Sequence, residues 1–183
     1  VLEITAEKVR ERLAGNVVAE GGETIDSVVA GLFRKKGVTV SLAESCTGGL
    51  IAKRITDLAG SSAYFLEGSV TYGNEAKIRR LQVPCELLER EGAVSAAVAM
   101  AMARGMRAAS GSDISLAVTG IAGPEGGTEE KPVGTVFLAL ASRADCTAKK
   151  YTFTGSRDRI RTVTSFTAMD WLRRYLVTLP DKS

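Results

Sequence analysis

Histidine is absent from this 183-residue chain. Any nucleophile in it must be activated without an imidazole, which leaves lysine, aspartate, glutamate or tyrosine as the base. Cysteine is scarce: Cys46, Cys85 and Cys146 are odd in number, widely spaced and form no C-x-x-C pair. That excludes a disulfide framework and a zinc ribbon, and predicts a reducing, cytoplasmic setting. No apolar run reaches the ~18 residues of a membrane span, and nothing at the start reads as a signal peptide. The net charge of +3 is too small to argue for nucleic acid or a lipid surface. An initiator methionine is also missing, which predicts a processed product or a piece of a longer protein.

What is present is ordinary for a globular domain: 45% hydrophobic and 25% charged residues. A chain of this length buries roughly 70% of the surface its unfolded form exposes. Residues 1–22 read as a linker-like segment with a short helix, Thr5 as its cap and Val9 and Leu13 on one face. Residues 23–183 read as one domain. Thr24 caps a helix carrying Ile25, Val28, Val29, Leu32 and Phe33, stopped by Gly37. A buried strand (38–43) follows, then a turn, then a helix with Leu50, Ile51, Ile55 and Leu58 inward. A second strand covers 67–72, Asn74 caps a helix through Leu81, and Ser95 opens an alanine-rich helix to about 109. A third strand (114–118), a hairpin pair (133–141 and 147–154) and a last helix (158–177) complete the chain. The last helix carries Ile160, Val163, Thr167, Trp171 and Tyr175 in one stripe. Strands alternating with helices predict an α/β fold, a three-layer α/β/α sandwich on a mixed, mostly parallel sheet.

In open α/β sheets, ligands bind beyond the carboxyl ends of the strands. Three polar or glycine-rich segments fall there: 44–49, 71–77 and 119–127. The first places Ser45 and Cys46 side by side where a helix opens, with free N–H groups and the positive dipole end expected to face a ligand. Read from residues alone, Ser45 is a helix cap or a nucleophile. Cys46 is a buried small residue or a rival thiolate. Lys77 falls in the first turn of its helix, an unfavourable place for a cation. It is either a desolvated neutral base or an exposed lysine with its head in water. Tyr72 relays a proton or lines the core; Thr119 binds an oxyanion or serves a strand. The glycine loop at 119–127 is neither a Walker A loop nor a dinucleotide turn. Arg157 and Arg161, four residues apart, either grip a phosphate or meet solvent.

Taken together, these segments resemble the C-terminal domain of the CinA family of competence/damage-inducible proteins, which also occurs as a stand-alone nicotinamide-nucleotide amidase. The resemblance rests on Ala43-Glu44-Ser45-Cys46-Thr47-Gly48-Gly49, Gly60-Ser61-Ser62, Val70-Thr71-Tyr72 and Asn74-Glu75-Ala76-Lys77. It continues through Gly92-Ala93-Val94-Ser95, Thr119-Gly120-Ile121-Ala122-Gly123-Pro124, Gly126-Gly127 and Lys131-Pro132-Val133-Gly134-Thr135, covering about 24–175.

The resemblance implies a mixed-sheet α/β/α sandwich, usually dimeric. It implies hydrolysis of the carboxamide of nicotinamide mononucleotide, with no metal or cofactor. It makes Ser45 the nucleophile and Lys77 its base, with Tyr72 and Thr119 in support. Glu44, Cys46, Thr47, Gly48, Asn74, Gly120, Gly123 and Arg157 then become substrate-binding candidates. Relatives commonly carry Gly-Asp-Arg where this chain has Gly155-Ser156-Arg157. Many also carry a larger N-terminal nucleotide-binding domain, so the intact protein is expected to be fused to one. The competing expectation is a catalytically silent nucleotide-binding or regulatory domain working in competence or damage response.

Overall fold

The computed structural model describes residues 2–181, so the outer limits of the two predicted units, 1 and 183, lie outside the described residues. Five strands form one sheet in the order β2-β1-β3-β4-β5: β1 Val40–Glu44, β2 Phe65–Val70, β3 Ile114–Gly120, β4 Thr135–Ala141 and β5 Cys146–Thr152. β1 pairs parallel with both β2 and β3, while β4 runs antiparallel to β3 and to β5. The sheet is mixed, as expected, with its pairings evenly divided and four of five strands pointing one way.

The two faces of the sheet differ in side-chain size because the pleat alternates. Val40 and Leu42 of β1, Leu116 and Val118 of β3, and Val136, Leu138 and Leu140 of β4 turn to one face. There they meet α2 (Ile25–Lys36), α3 (Leu50–Thr56) and α7 (Arg157–Thr178). Ala43, Ala117, Ala139 and Ala141 turn to the other face, against α4 (Asn74–Leu81), α5 (Cys85–Glu91) and α6 (Ala96–Ser110). Small residues on both sides let the alanine-rich α6 lie close to the sheet. α6 in turn approaches the end of α4 so nearly that a Cβ on Gly105 would sit 1.8 Å from the Leu81 carbonyl oxygen.

Local signals set most boundaries. Thr24 caps α2 through a reciprocal pair of bonds with Ser27, and Gly37 ends it in the left-handed conformation. Ser95 caps α6 and Gly111 ends it likewise. Other expectations need correction. The first helix, α1 (Leu2–Leu13), starts earlier, so Thr5 lies inside it rather than capping it, and Val9 and Leu13 are largely exposed. The cap of α4 is Gly73, not Asn74, which moves Lys77 from the third to the fourth helical position. The sequence pattern does not predict α5, because Pro84 and a charged run hide its one buried leucine, Leu88. The buried face of α7 centres on Thr164, Ala168 and Leu172, so the expected stripe lies along its edge. Thr164 is admitted because its hydroxyl donates to the Ile160 carbonyl. Among the described residues no helix is long and apolar enough to cross a membrane.

Candidate active site

β1, β2 and β3 end side by side, and their continuations enclose a cavity of about 270 Å³. Its wall includes Ser45 and Cys46 beyond β1, Tyr72 and Lys77 from the β2–α4 connection, and Thr119 and Gly120 at the end of β3. Gly123 and Arg157 complete the predicted set that lines it. Glu44, Thr47, Gly48 and Asn74 do not line the cavity. Ala93, Val94, Ile121, Ala122, Glu125 and Gly126 do, and sequence reasoning singled out none of them. They lie inside the recognised blocks or the glycine loop, and that neighbourhood is the only signal that marks them.

Lys77 is almost wholly buried, at 1% exposure. Its Nζ reaches the carbonyl oxygens of Thr71 (2.9 Å) and Tyr72 (3.1 Å) and the Ser45 hydroxyl (3.3 Å). Burial pushes this amine below its ordinary value of 10.5, and the neighbouring Cys46 sulfur only partly opposes the shift. A neutral amine has two N–H donors and one lone pair. In that form the two carbonyls take the N–H groups and the lone pair faces the hydroxyl, whereas an ammonium donates to all three. The alternative of a solvated lysine does not fit this placement.

The turn after β1 departs from expectation in a way that follows from Glu44. That carboxylate is buried and turned away from the cavity, toward the start of α3. Oε2 accepts from the Thr47 hydroxyl (2.7 Å) and the Gly49 and Ile51 N–H groups, and Oε1 accepts from Ala52 N–H (2.8 Å). The open donors of the helix start are therefore consumed from within. The Gly48 N–H is also occupied, by the Ser45 carbonyl (3.0 Å). α3 presents no free N-terminus to a ligand, and Ser45 is not its cap, since the cap position is Gly49. Thr47 is buried, and its carbonyl accepts from Arg161 (2.8 Å), which removes Arg161 from any paired anion grip with Arg157.

Cys46 lines the cavity at 5% exposure, and burial pushes its thiol up to about 12. It stays protonated near neutral pH and is a poor nucleophile there. Thr119 donates its hydroxyl to the Ala93 carbonyl (2.8 Å), tying the β3 end to the loop before α6. Gly120 is boxed in: a Cβ there would come within 2.8 Å of Val136 and 3.1 Å of the Cys46 sulfur. Arg157 bridges the mouth, donating to the Gly123 carbonyl (2.8 Å) and to the Tyr72 phenol oxygen. Ser156 caps α7 by accepting from Arg159 N–H (3.3 Å). The arginine is thus positioned by Tyr72 and Gly123, not by residue 156. Among the described residues no group of three or more acidic or cysteine side chains is placed to hold a metal ion.

A profile of the CinA C-terminal domain family matches residues 22–176. A CinA-like protein of Geotalea daltonii is 66% identical over 180 residues, covering 98% of this chain and 44% of that protein. A CinA-like protein of Dictyoglomus thermophilum is 47% identical over 179 residues, with coverage of 98% and 44%. This chain therefore spans less than half the length of the curated relatives it matches. Among solved structures, the competence damage-inducible protein A of Klebsiella pneumoniae is 35% identical with a TM-score of 0.82, covering 85% of this chain and 97% of that one. The competence/damage inducible protein CihA of Agrobacterium tumefaciens is 41% identical with a TM-score of 0.80, covering 87% and 99%. The chain belongs to the CinA C-terminal domain family.

Proposed function

We propose that this chain hydrolyses the carboxamide of nicotinamide mononucleotide to nicotinic acid mononucleotide and ammonia through a Ser45 acyl-enzyme. The observation that carries the proposal is the buried contact between Lys77 Nζ and Ser45 Oγ, 3.3 Å, made by an amine whose two other partners are carbonyls. The choice of amide and nucleotide comes from the family resemblance.

In this scheme Ser45 Oγ attacks the carboxamide carbon as its proton passes to the lone pair of Lys77. The tetrahedral intermediate then collapses, the C–N bond breaks, and Lys77 protonates the departing ammonia. Water attacks the resulting ester with Lys77 again as base, releasing the acid and restoring the serine. The N–H of Cys46, directly after the nucleophile, is the assigned oxyanion donor, because Gly48 and Gly49 N–H are already engaged. Arg157 at the mouth meets the phosphate, and Tyr72 holds Arg157 across it.

The cost of the lysine supports an active role over a silent binding domain. An ammonium without a carboxylate is expensive to bury, by several kcal/mol. A domain that only bound nucleotides would gain stability from an apolar residue at this position. Ammonia release from the mononucleotide, measured with chelator present, tests the scheme. Ser45→Ala and Lys77→Ala are each expected to lower kcat at least 10³-fold with folding intact by circular dichroism. Wild-type turnover by Ser45→Ala overturns the mechanism, and loss confined to Cys46→Ala transfers the role to the thiol.

A further inference from the structure

Three charged side chains line the cavity: Lys77, Arg157 and Glu125. Glu125 lies in the 119–127 loop, exposed, at the same cavity as Arg157 yet unpaired with it. Arg157 is taken by the Gly123 carbonyl and the Tyr72 phenol, and among the described residues no hydrogen bond or ion pair holds the Glu125 carboxylate. Arg157 and Glu125 thus line one mouth with no ion pair between them among the described residues, although the carbonyl that Arg157 takes lies only two residues before Glu125. Glu44, the nearest other carboxylate in sequence to the nucleophile, is turned away and spent on α3.

We infer that Glu125 is a specificity-determining residue, a carboxylate that selects a cationic heteroaromatic ring carrying the carboxamide over the same ring uncharged. The inference rests on the proposed function for the identity of the ligand and sharpens its substrate class. A pyridinium ring bears a positive charge, and seating its carboxamide on Ser45 brings that charge into a cavity where Lys77 is neutral in the proposed scheme and Arg157 is the standing cation. Among the described residues Glu125 is the one carboxylate that lines the cavity, so it attracts the ring and offsets the repulsion from Arg157. Arg157 meets the anionic tail. The arrangement is complementary to a molecule positive at the ring and negative at the far end, and it disfavours a neutral free carboxamide.

The test compares nicotinamide mononucleotide with its dihydropyridine form, which keeps the tail and carboxamide and loses the ring charge. Binding is measured by calorimetry in a Ser45→Ala background, so that nothing turns over. The preference for the charged ring is expected to fall on the order of fivefold in Glu125→Gln, the size of an exposed charge pair, and to survive in Glu125→Asp. Affinity for the dihydro form is expected to stay within twofold, and raised salt is expected to shrink the preference. An unchanged ratio in Glu125→Gln, an equal loss for both ligands, or no binding of either overturns the inference. Ammonia release by the protein with Ser45 intact reports separately on the proposed function. Its absence beside Glu125-dependent selective binding overturns hydrolysis alone; its presence beside an unselective Glu125 overturns the present inference alone.

Discussion

At the scale of single residues, the site depends on two buried charged side chains with opposite assignments. Lys77 faces the cavity, while Glu44 faces away and secures the turn that presents Ser45. Both are legible in the sequence as residue types at strand ends, but their directions are not. A polar residue beside a nucleophile reads as ligand-binding, and nothing local shows that four donors of the turn and the helix after it converge on it. The same blindness applies to Lys77, whose burial comes from packing between α4 and the ends of β1 and β2. Glu44→Gln places an amide NH₂ among four donors. It is expected to cost about 3 kcal/mol, a fall in Tm of about 6–12 °C, from buried donors left without an acceptor. Thermal unfolding followed by calorimetry checks this, and a wild-type Tm removes the structural role assigned to Glu44.

At the scale of elements, caps and stop signals were readable where they are made by side chains and glycines within one segment, as at Thr24, Gly37, Ser95 and Gly111. Elements defined by partners distant in sequence were not. α5 has a single buried leucine, and the inward face of α7 admits Thr164 and Ser165 among apolar residues because their hydroxyls bond back into the helix. The contact between α6 and α4 belongs to this second kind, and two glycines separate it from plain helix propensity. Gly31→Ala in α2 meets nothing within 4 Å and is expected to stabilise by about 0.5–1 kcal/mol. Gly105→Ala in α6 drives a methyl into the Leu81 carbonyl. It is expected to destabilise by at least about 3 kcal/mol and to lower activity by shifting α4, and with it Lys77. Denaturant midpoints of the two variants, with ammonia release for the second, decide the matter; matching midpoints would mean that propensity alone governs both sites.

At the scale of the molecule, the sandwich buries an amine at a cost in stability. The folded-state pKa of Lys77 lies below its ordinary 10.5, so the unfolded chain binds more protons between the two values and stability rises with pH across that window. Below it the penalty is fully present. Lys77→Met is therefore expected to raise Tm by about 2–4 °C near neutral pH, for about 1 kcal/mol. The gain shrinks as pH climbs toward 10.5. Tm measured for both proteins from pH 7 to 10.5 tests this, and a gain that grows with pH contradicts the assigned direction. The fold class and the convergence of three strand ends were legible because they follow from the alternation of strands and helices. The division of the sheet into a large-residue face and an alanine face needed the register.

Two of the three groups around Lys77 Nζ are backbone carbonyls, which accept hydrogen bonds but do not take up a proton near neutral pH. Only the Ser45 hydroxyl can hand one over or pass one on. In the proposed scheme the buried nitrogen therefore exchanges protons on one side alone, the cavity side, where the Ser45 hydroxyl, the departing ammonia and the attacking water stand in turn. Timing of the transfer is thereby set by what occupies that side of the cavity.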